Sequence, residues 1–131
     1  MAYQPFDLTG KVALITGGNG GIGLGMAEAL AAAGAGIALW GTSRAKNEAA
    51  QARLEAAGSR VFTLECDVGD EAAVEQAFER TLEAMGRVDG CFANAGVSGR
   101  APSFLEMTQE EWHRVLRVNV DDYAEIWVNG E

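Results

Sequence analysis

Thr16 is followed by Gly17-Gly18-Asn19-Gly20-Gly21-Ile22-Gly23, seven residues with five glycines. So many glycines are costly in backbone entropy. They mark positions that need a positive φ or a close backbone approach. An apolar run, Val12 to Ile15, precedes them, and an alanine-rich helical pattern follows. A helix N-terminus, with free N–H groups and the positive end of its dipole, then sits at a strand tip, which suits a phosphate group. An ordinary strand-to-helix turn is the competing reading. A P-loop is excluded because no Gly-Lys-Ser/Thr follows. A second strand pattern about 20 residues on is the context of a dinucleotide-binding βαβ unit. Gly17, Asn19, Gly20, Gly21, Ile22 and Gly23 are the candidate phosphate contacts.

A site for NAD has an acidic residue at the end of the second strand, bonded to the ribose hydroxyls. Here that stretch is Leu39-Trp40-Gly41-Thr42-Ser43-Arg44-Ala45-Lys46, without a carboxylate. Ser43, Arg44 and Lys46 lie within reach of a 2′-phosphate, which favours NADP over NAD. Arg44 and Lys46 equally suit the solvated start of a helix.

The elements that must hold these residues alternate. Val12–Thr16, Gly36–Trp40, Arg60–Cys66 and Val88–Ala93 are predicted strands. Gly21–Ala33, Ser43 or Arg44 to Ala57, and Asp70–Met85 are predicted helices. Asp70 serves as an N-cap, and Gly34, Gly58 and Gly86 as helix stops. Pro102–Met107 is expected as a loop. Thr108-Gln-Glu-Glu111 fits a capping box opening a helix to about Val120. Four strand-helix units in sequence predict an α/β fold, a Rossmann-type doubly wound parallel sheet, in one domain spanning residues 1–131. Val-Ala-Leu-Ile and Gly-Ile-Ala-Leu-Trp are apolar on both faces, as buried parallel strands are.

The net charge is −9 with only two lysines, Lys11 and Lys46. Such a chain is a poor partner for nucleic acid or an anionic membrane. No apolar stretch reaches the ~20 residues of a membrane span, and the N-terminus lacks the pattern of a signal peptide, so a cytoplasmic location is expected. Cys66 and Cys91 match no metal spacing and read as buried small apolar side chains. His113 reads as a surface residue.

Thr16-Gly17-x-x-x-Gly21-Ile22-Gly23 resembles the fingerprint of the classical short-chain dehydrogenase/reductase family. Leu8 to Gly17 is similar to the family's opening. Cys66-Asp67-Val68 resembles its Asp-Val after the third strand, and Ala93-Asn94-Ala95-Gly96 its Asn-Asn-Ala-Gly, with the first Asn replaced. Trp112 to Asn119 resembles the helix carrying its catalytic-site Asn. The likeness covers residues 8 to about 121. It implies NAD(P)-dependent hydride transfer on a small alcohol or ketone. Asp67 and Val68 would hold the adenine, and Asn94, Ala95 and Gly96 would line the cofactor channel. The backbone of Asn119 would hold a water in a proton relay. From the pattern alone, Asn119 also fits a buried Asn bonded to neighbouring backbone, on a face shared with Trp112, Val115 and Leu116. Many NADP-using members carry a basic residue where this chain has Asn19.

The family's chemistry also needs a Ser and a Tyr-x-x-x-Lys. This chain has only Tyr3 and Tyr123, Trp127 stands four residues after Tyr123, and no lysine follows Lys46. The chain stops about halfway along the family's length, as a truncated domain of about four strands. The likeness fades after Val120. Glu125–Val128 reads as a short strand in an atypical tail, residues 121–131, and Ile126 to Gly130 is similar to the extreme C-terminus of some members. A non-catalytic dinucleotide-binding module, or a fragment completed by another chain, is the alternative to an enzyme. Gly90-Cys91-Phe92-Ala93 would be an uncovered apolar edge, which predicts marginal stability or self-association.

Overall fold

A computed structural model of the chain describes residues 4–121. Its elements are β1 (Val12–Thr16), α1 (Gly21–Ala32), β2 (Gly36–Gly41), α2 (Arg44–Ala56), β3 (Val61–Glu65), α3 (Glu71–Met85), β4 (Gly90–Phe92) and α4 (Gln109–Leu116). The strands form one parallel sheet in the order β3-β2-β1-β4. Val12 to Thr16 lie opposite Gly36 to Trp40 on one side, and Ala13 to Ile15 opposite Gly90 to Phe92 on the other.

All five residues of β1 are buried, because helices cover both sheet faces. Ala13, Ile15, Ile37 and Leu39 pack against Ala27 of α1 and Ala50 and Leu54 of α2. Val12, Leu14, Ala38 and Trp40 pack on the other face against Val74, Ala77 and Met85 of α3. Trp40 is fully buried and its indole N–H donates to Thr81 Oγ1 at 3.0 Å, which satisfies the polar end of a large apolar group. The chain winds outward through β1, β2 and β3. It then crosses by α3 to set β4 on the other side of β1. Strand order therefore reverses between β1 and β4, and such a reversal opens a crevice at the carboxyl ends of the strands.

Gly34, Gly58 and Gly86 have φ of +99°, +90° and +82°, as left-handed helix stops require. Ser43 and Asp70 cap α2 and α3, accepting from the N–H groups of Lys46 and Ala73. α4 is shorter than its pattern predicts. After Leu116 the backbone widens into a π-helical turn, Arg117–Asp121, which contains Asn119; such turns are rare and recur at functional sites. Only half of the capping box forms. Thr108 Oγ1 accepts from Glu111 N–H at 3.1 Å, but the Glu111 carboxylate turns to Arg114 and to the Arg100 N–H instead of the cap. The Arg114 guanidinium and then the Arg100 N–H hold Glu111 down at about 2, below the usual 4.5. A carboxylate depressed in this way supports the fold fully above about pH 4.5 and loses that support as pH falls toward 2.

β4 is an edge of the described sheet, with Cys91 and Phe92 exposed. Cys66 is buried as its pattern predicts, whereas Cys91 is not. Trp112 is likewise 48% exposed, while Val115 and Leu116 on the same stripe are half-buried, so the stripe of α4 is only partly covered among the described residues. Apolar alternation sets which face would be buried, and no described element covers these two. The strand expected at Glu125–Val128 lies outside the described residues. No helix among those described is long and apolar enough to cross a membrane.

Candidate nucleotide-binding site

The crevice at the strand ends is a cleft of about 200 Å³. Gly17, Asn19, Ser43, Asp67, Val68, Ala95 and Gly96 line it, all of them sequence-predicted site residues. Trp40, Gly41, Thr42, Lys46, Cys66, Val97 and Val118 complete the wall.

α1 begins differently from the other three α-helices among the described residues. Its N-cap is Gly20, which has no side chain to offer its first-turn N–H groups, while Ser43, Asp70 and Thr108 cap the others. Those N–H groups therefore need an acceptor from outside the helix. Its glycines divide by role. A Cβ on Gly17, where φ is +64°, would lie 3.0 Å from Ala95 Cα. A Cβ on Gly23 would lie 2.6 Å from Asn94 Nδ2 and press on the Gly17 carbonyl oxygen. These two glycines let the turn pack against the loop after β4. Gly20 and Gly21 face open space, Gly21 with φ +54°, and Ile22 is 80% exposed. They remain accessible to a ligand, although none of the three lines the cleft itself.

A latch joins the two loops across the crevice. Buried Thr16 accepts through Oγ1 from the N–H groups of Asn94 and Ala95, both at 3.0 Å. The Asn94 amide donates back to the carbonyls of Thr16 (3.1 Å) and Gly17 (3.3 Å). Asn94 is thus occupied by the turn, while Ala95 and Gly96 reach the cleft. Asn19 is also engaged, donating to Asn47 Oδ1 at 2.9 Å. Asn47 is buried and donates in turn to the carbonyls of Gly41 (3.0 Å) and Leu64 (3.2 Å). Asn47 is absent from the sequence candidates. Its signal is a polar residue on the stripe Asn47, Ala50, Leu54, the same pattern that singles out Asn119.

Asp67 accepts from the Gly69 N–H at 2.9 Å, which shapes the turn after β3. The Cys66 thiol is pushed up to about 11 by burial first and by Asp67 and Asp70 second, so it stays protonated. Arg44 does not line the cleft. It pairs with Glu48 at 3.0 Å on the exposed side of α2, because an i, i+4 carboxylate is nearer than the crevice. Lys46, expected beside it, does line the cleft. Asn119 accepts from the Val97 N–H at 2.7 Å and donates to the Val97 carbonyl at 2.8 Å, so its side chain bonds neighbouring backbone. A Cβ on Gly96 would come within 3.3 Å of Asn119 Oδ1.

Residues 11–127 match the family model of the short chain dehydrogenases. The chain belongs to that family. This short chain dehydrogenase sequence is 40% identical over 114 residues to levodione reductase of Leifsonia aquatica, covering 86% of this chain and 43% of the relative. A crystal structure of NAD+-bound xylitol dehydrogenase superposes with a TM-score of 0.89 at 32% identity, over 94% of this chain and 47% of that one. A blue fluorescent protein from a metagenomic library, solved with NADPH, gives 0.86 at 35% identity, over 95% and 51%. The chain thus spans about half the length of the relatives it matches. The family match runs to residue 127, past Val120, where the sequence likeness is expected to fade.

Proposed function

We propose that this chain is the cofactor-binding portion of a short-chain dehydrogenase/reductase acting on a small alcohol or ketone, and that its cleft takes NADP(H) in preference to NAD(H). One observation carries the reading. α1, alone among the four α-helices of the described residues, lacks a side-chain cap, and it starts at the crevice where strand order reverses. A pyrophosphate there would supply the missing acceptors. Relatives solved with NAD+ and with NADPH support a nicotinamide dinucleotide as the occupant. Such a cofactor, when bound, supplies the hydride acceptor or donor. The first turn of α1, Gly20 to Gly23, would hold its pyrophosphate. The second Asp67 carboxylate oxygen would face the adenine amine, with Val68 packed on the ring. Ala95 and Gly96 would pass the ribose without a bulky side chain.

The preference for NADP(H) rests on Ser43 and Lys46. Both line the cleft at the end of β2, where no carboxylate stands. NADPH should bind more tightly than NADH in a titration. Lys46→Ala should weaken NADPH alone, about fivefold, as expected of a partly exposed ion pair worth ~1 kcal/mol. Equal affinities in the unmodified chain would rule out the preference.

Asn119 is the catalytic-motif residue on this chain. The Ser and the Tyr-x-x-x-Lys are not among its residues. The tyrosine would be the acid/base, its pKa lowered by the lysine one helical turn on. The 131 residues alone should therefore bind cofactor without turnover. Steady NAD(P)H consumption by the purified chain, above that of a Gly21→Glu control, would overturn this. Completion by further residues would also cover β4 and the Trp112 stripe. Left open, that edge should drive self-association. Light scattering should find oligomers growing with concentration; a sharp monomeric peak with a cooperative melt would contradict it.

A further inference from the structure

The segment that continues the cleft wall is held to α4 and its π-turn entirely through main-chain groups. Asn119 takes both polar groups of the Val97 residue's backbone. Arg114 Nη2 donates to the Ser98 carbonyl at 2.8 Å, and the Arg100 N–H donates to Glu111 Oε1 at 2.5 Å. Arg114 and Glu111 are joined by two further bonds of 2.8 Å each. Their side chains are 25% and 17% exposed, the most sheltered ion pair among the described residues. Bidentate geometry fixes the guanidinium plane, so the second N–H of Nη2 is aimed at the Ser98 carbonyl. By contrast, the side chains of Ser98 and Arg100 are exposed and make no hydrogen bond among the described residues, and the Arg100 charge acts on Glu111 only as the smallest of several influences.

We propose that Glu111 and Arg114 are positioning residues, which clip the backbone of Ser98 and Arg100 to α4 and so fix the cleft wall Ala95–Val97. The proposal rests on the reading of that cleft as a nucleotide site. Because the clip reads only backbone, it leaves the side chains at 98 and 100 free to vary without loosening the wall. A surface ion pair that merely steadied α4 would have no such reach.

Amide hydrogen exchange on the free chain separates the two cases. In Glu111→Ala, exchange at Arg100 should rise about tenfold or more while β1 and β2 amides stay unchanged. Glu111→Gln, which keeps the acceptor, should restore most of the Arg100 protection. The exchanged pair, Glu111→Arg with Arg114→Glu, restores the ion pair but offers no acceptor to Arg100 and no donor to Ser98. Its melting should recover while Arg100 stays unprotected. In each clip-breaking variant NADPH should bind about threefold more weakly or worse, the size of a loss within one hydrogen-bond network. Unchanged Arg100 exchange in Glu111→Ala, or protection regained in the exchanged pair, would overturn the clip. If Glu111→Ala does not fold, Arg114→Met decides, since it keeps the Thr108 cap and the Arg100 bond; undiminished NADPH affinity there would also overturn the proposal. Should the unmodified chain take up no NADPH, the nucleotide reading fails, and the exchange data still decide the clip.

Discussion

Gly23→Ala is expected to destabilise the chain by about 2–4 kcal/mol and to abolish nucleotide binding. The added methyl meets the Gly17 carbonyl oxygen and comes within 2.6 Å of Asn94 Nδ2. Both are fixed: Gly17 by its bond to the Trp40 carbonyl and Asn94 by its bonds across the crevice. Overpacking of a close-packed site costs about 1–3 kcal/mol. Displacing the Asn94 amide forfeits further bonds, each about 1 kcal/mol. Two residues along α1, Gly25 faces open space, and Gly25→Ala should instead stabilise by up to about 1 kcal/mol through helix propensity. Thermal melts of the two variants therefore move in opposite directions. A Gly23→Ala protein that melts and binds like the parent would remove the packing role of that glycine.

Thr16→Val is the second large effect. Valine keeps the shape of the side chain and suits a strand, so packing alone forecasts no loss. It removes the Oγ1 that accepts from Asn94 and Ala95, and leaves the part-buried Ala95 N–H without its partner, while the Asn94 N–H keeps its 2.8 Å bond to the Phe92 carbonyl. Such an orphaned group costs about 1–3 kcal/mol, and the lost Asn94 bond adds a smaller share because that N–H stays satisfied. The wall at Ala95 and Gly96 should shift with it and weaken nucleotide binding. Thr16→Ser keeps the oxygen and should retain binding, with a smaller loss from the missing methyl. Chemical denaturation at constant m-value distinguishes the three proteins. Equal midpoints for the parent and the Thr16→Val variant would show that the latch contributes nothing.

The sheet was legible because its signals are local. Val12 to Ile15 is too apolar for a one-faced strand, and glycine closes the helices at 34, 58 and 86 where φ turns positive. The site was legible in outline only. Five clustered glycines suggest close approach by a ligand, yet the atoms approaching Gly17 belong to Asn94 and Ala95, over 70 residues away in sequence, and those approaching Gly23 to Asn94 and to Gly17 itself. The motif around Asn94 points to the cofactor channel; the amide itself is occupied by two carbonyls that no spacing rule announces. Glu111 fits a capping box by spacing, but a charged donor, Arg114, one turn on competes more strongly than a backbone N–H. Cys91 and Trp112 carry apolar patterns that only a neighbouring element could bury. Periodicity reports which face is apolar and not whether anything covers it.

Calorimetric titration of NADPH into the purified chain tests most directly whether the crevice between β1 and β4 is a nucleotide site. Saturable uptake of one NADPH per chain, weaker for NADH and lost in Gly23→Ala, is the expected result. A chain whose circular dichroism and cooperative melt show it folded, yet which takes up neither nucleotide, would contradict it.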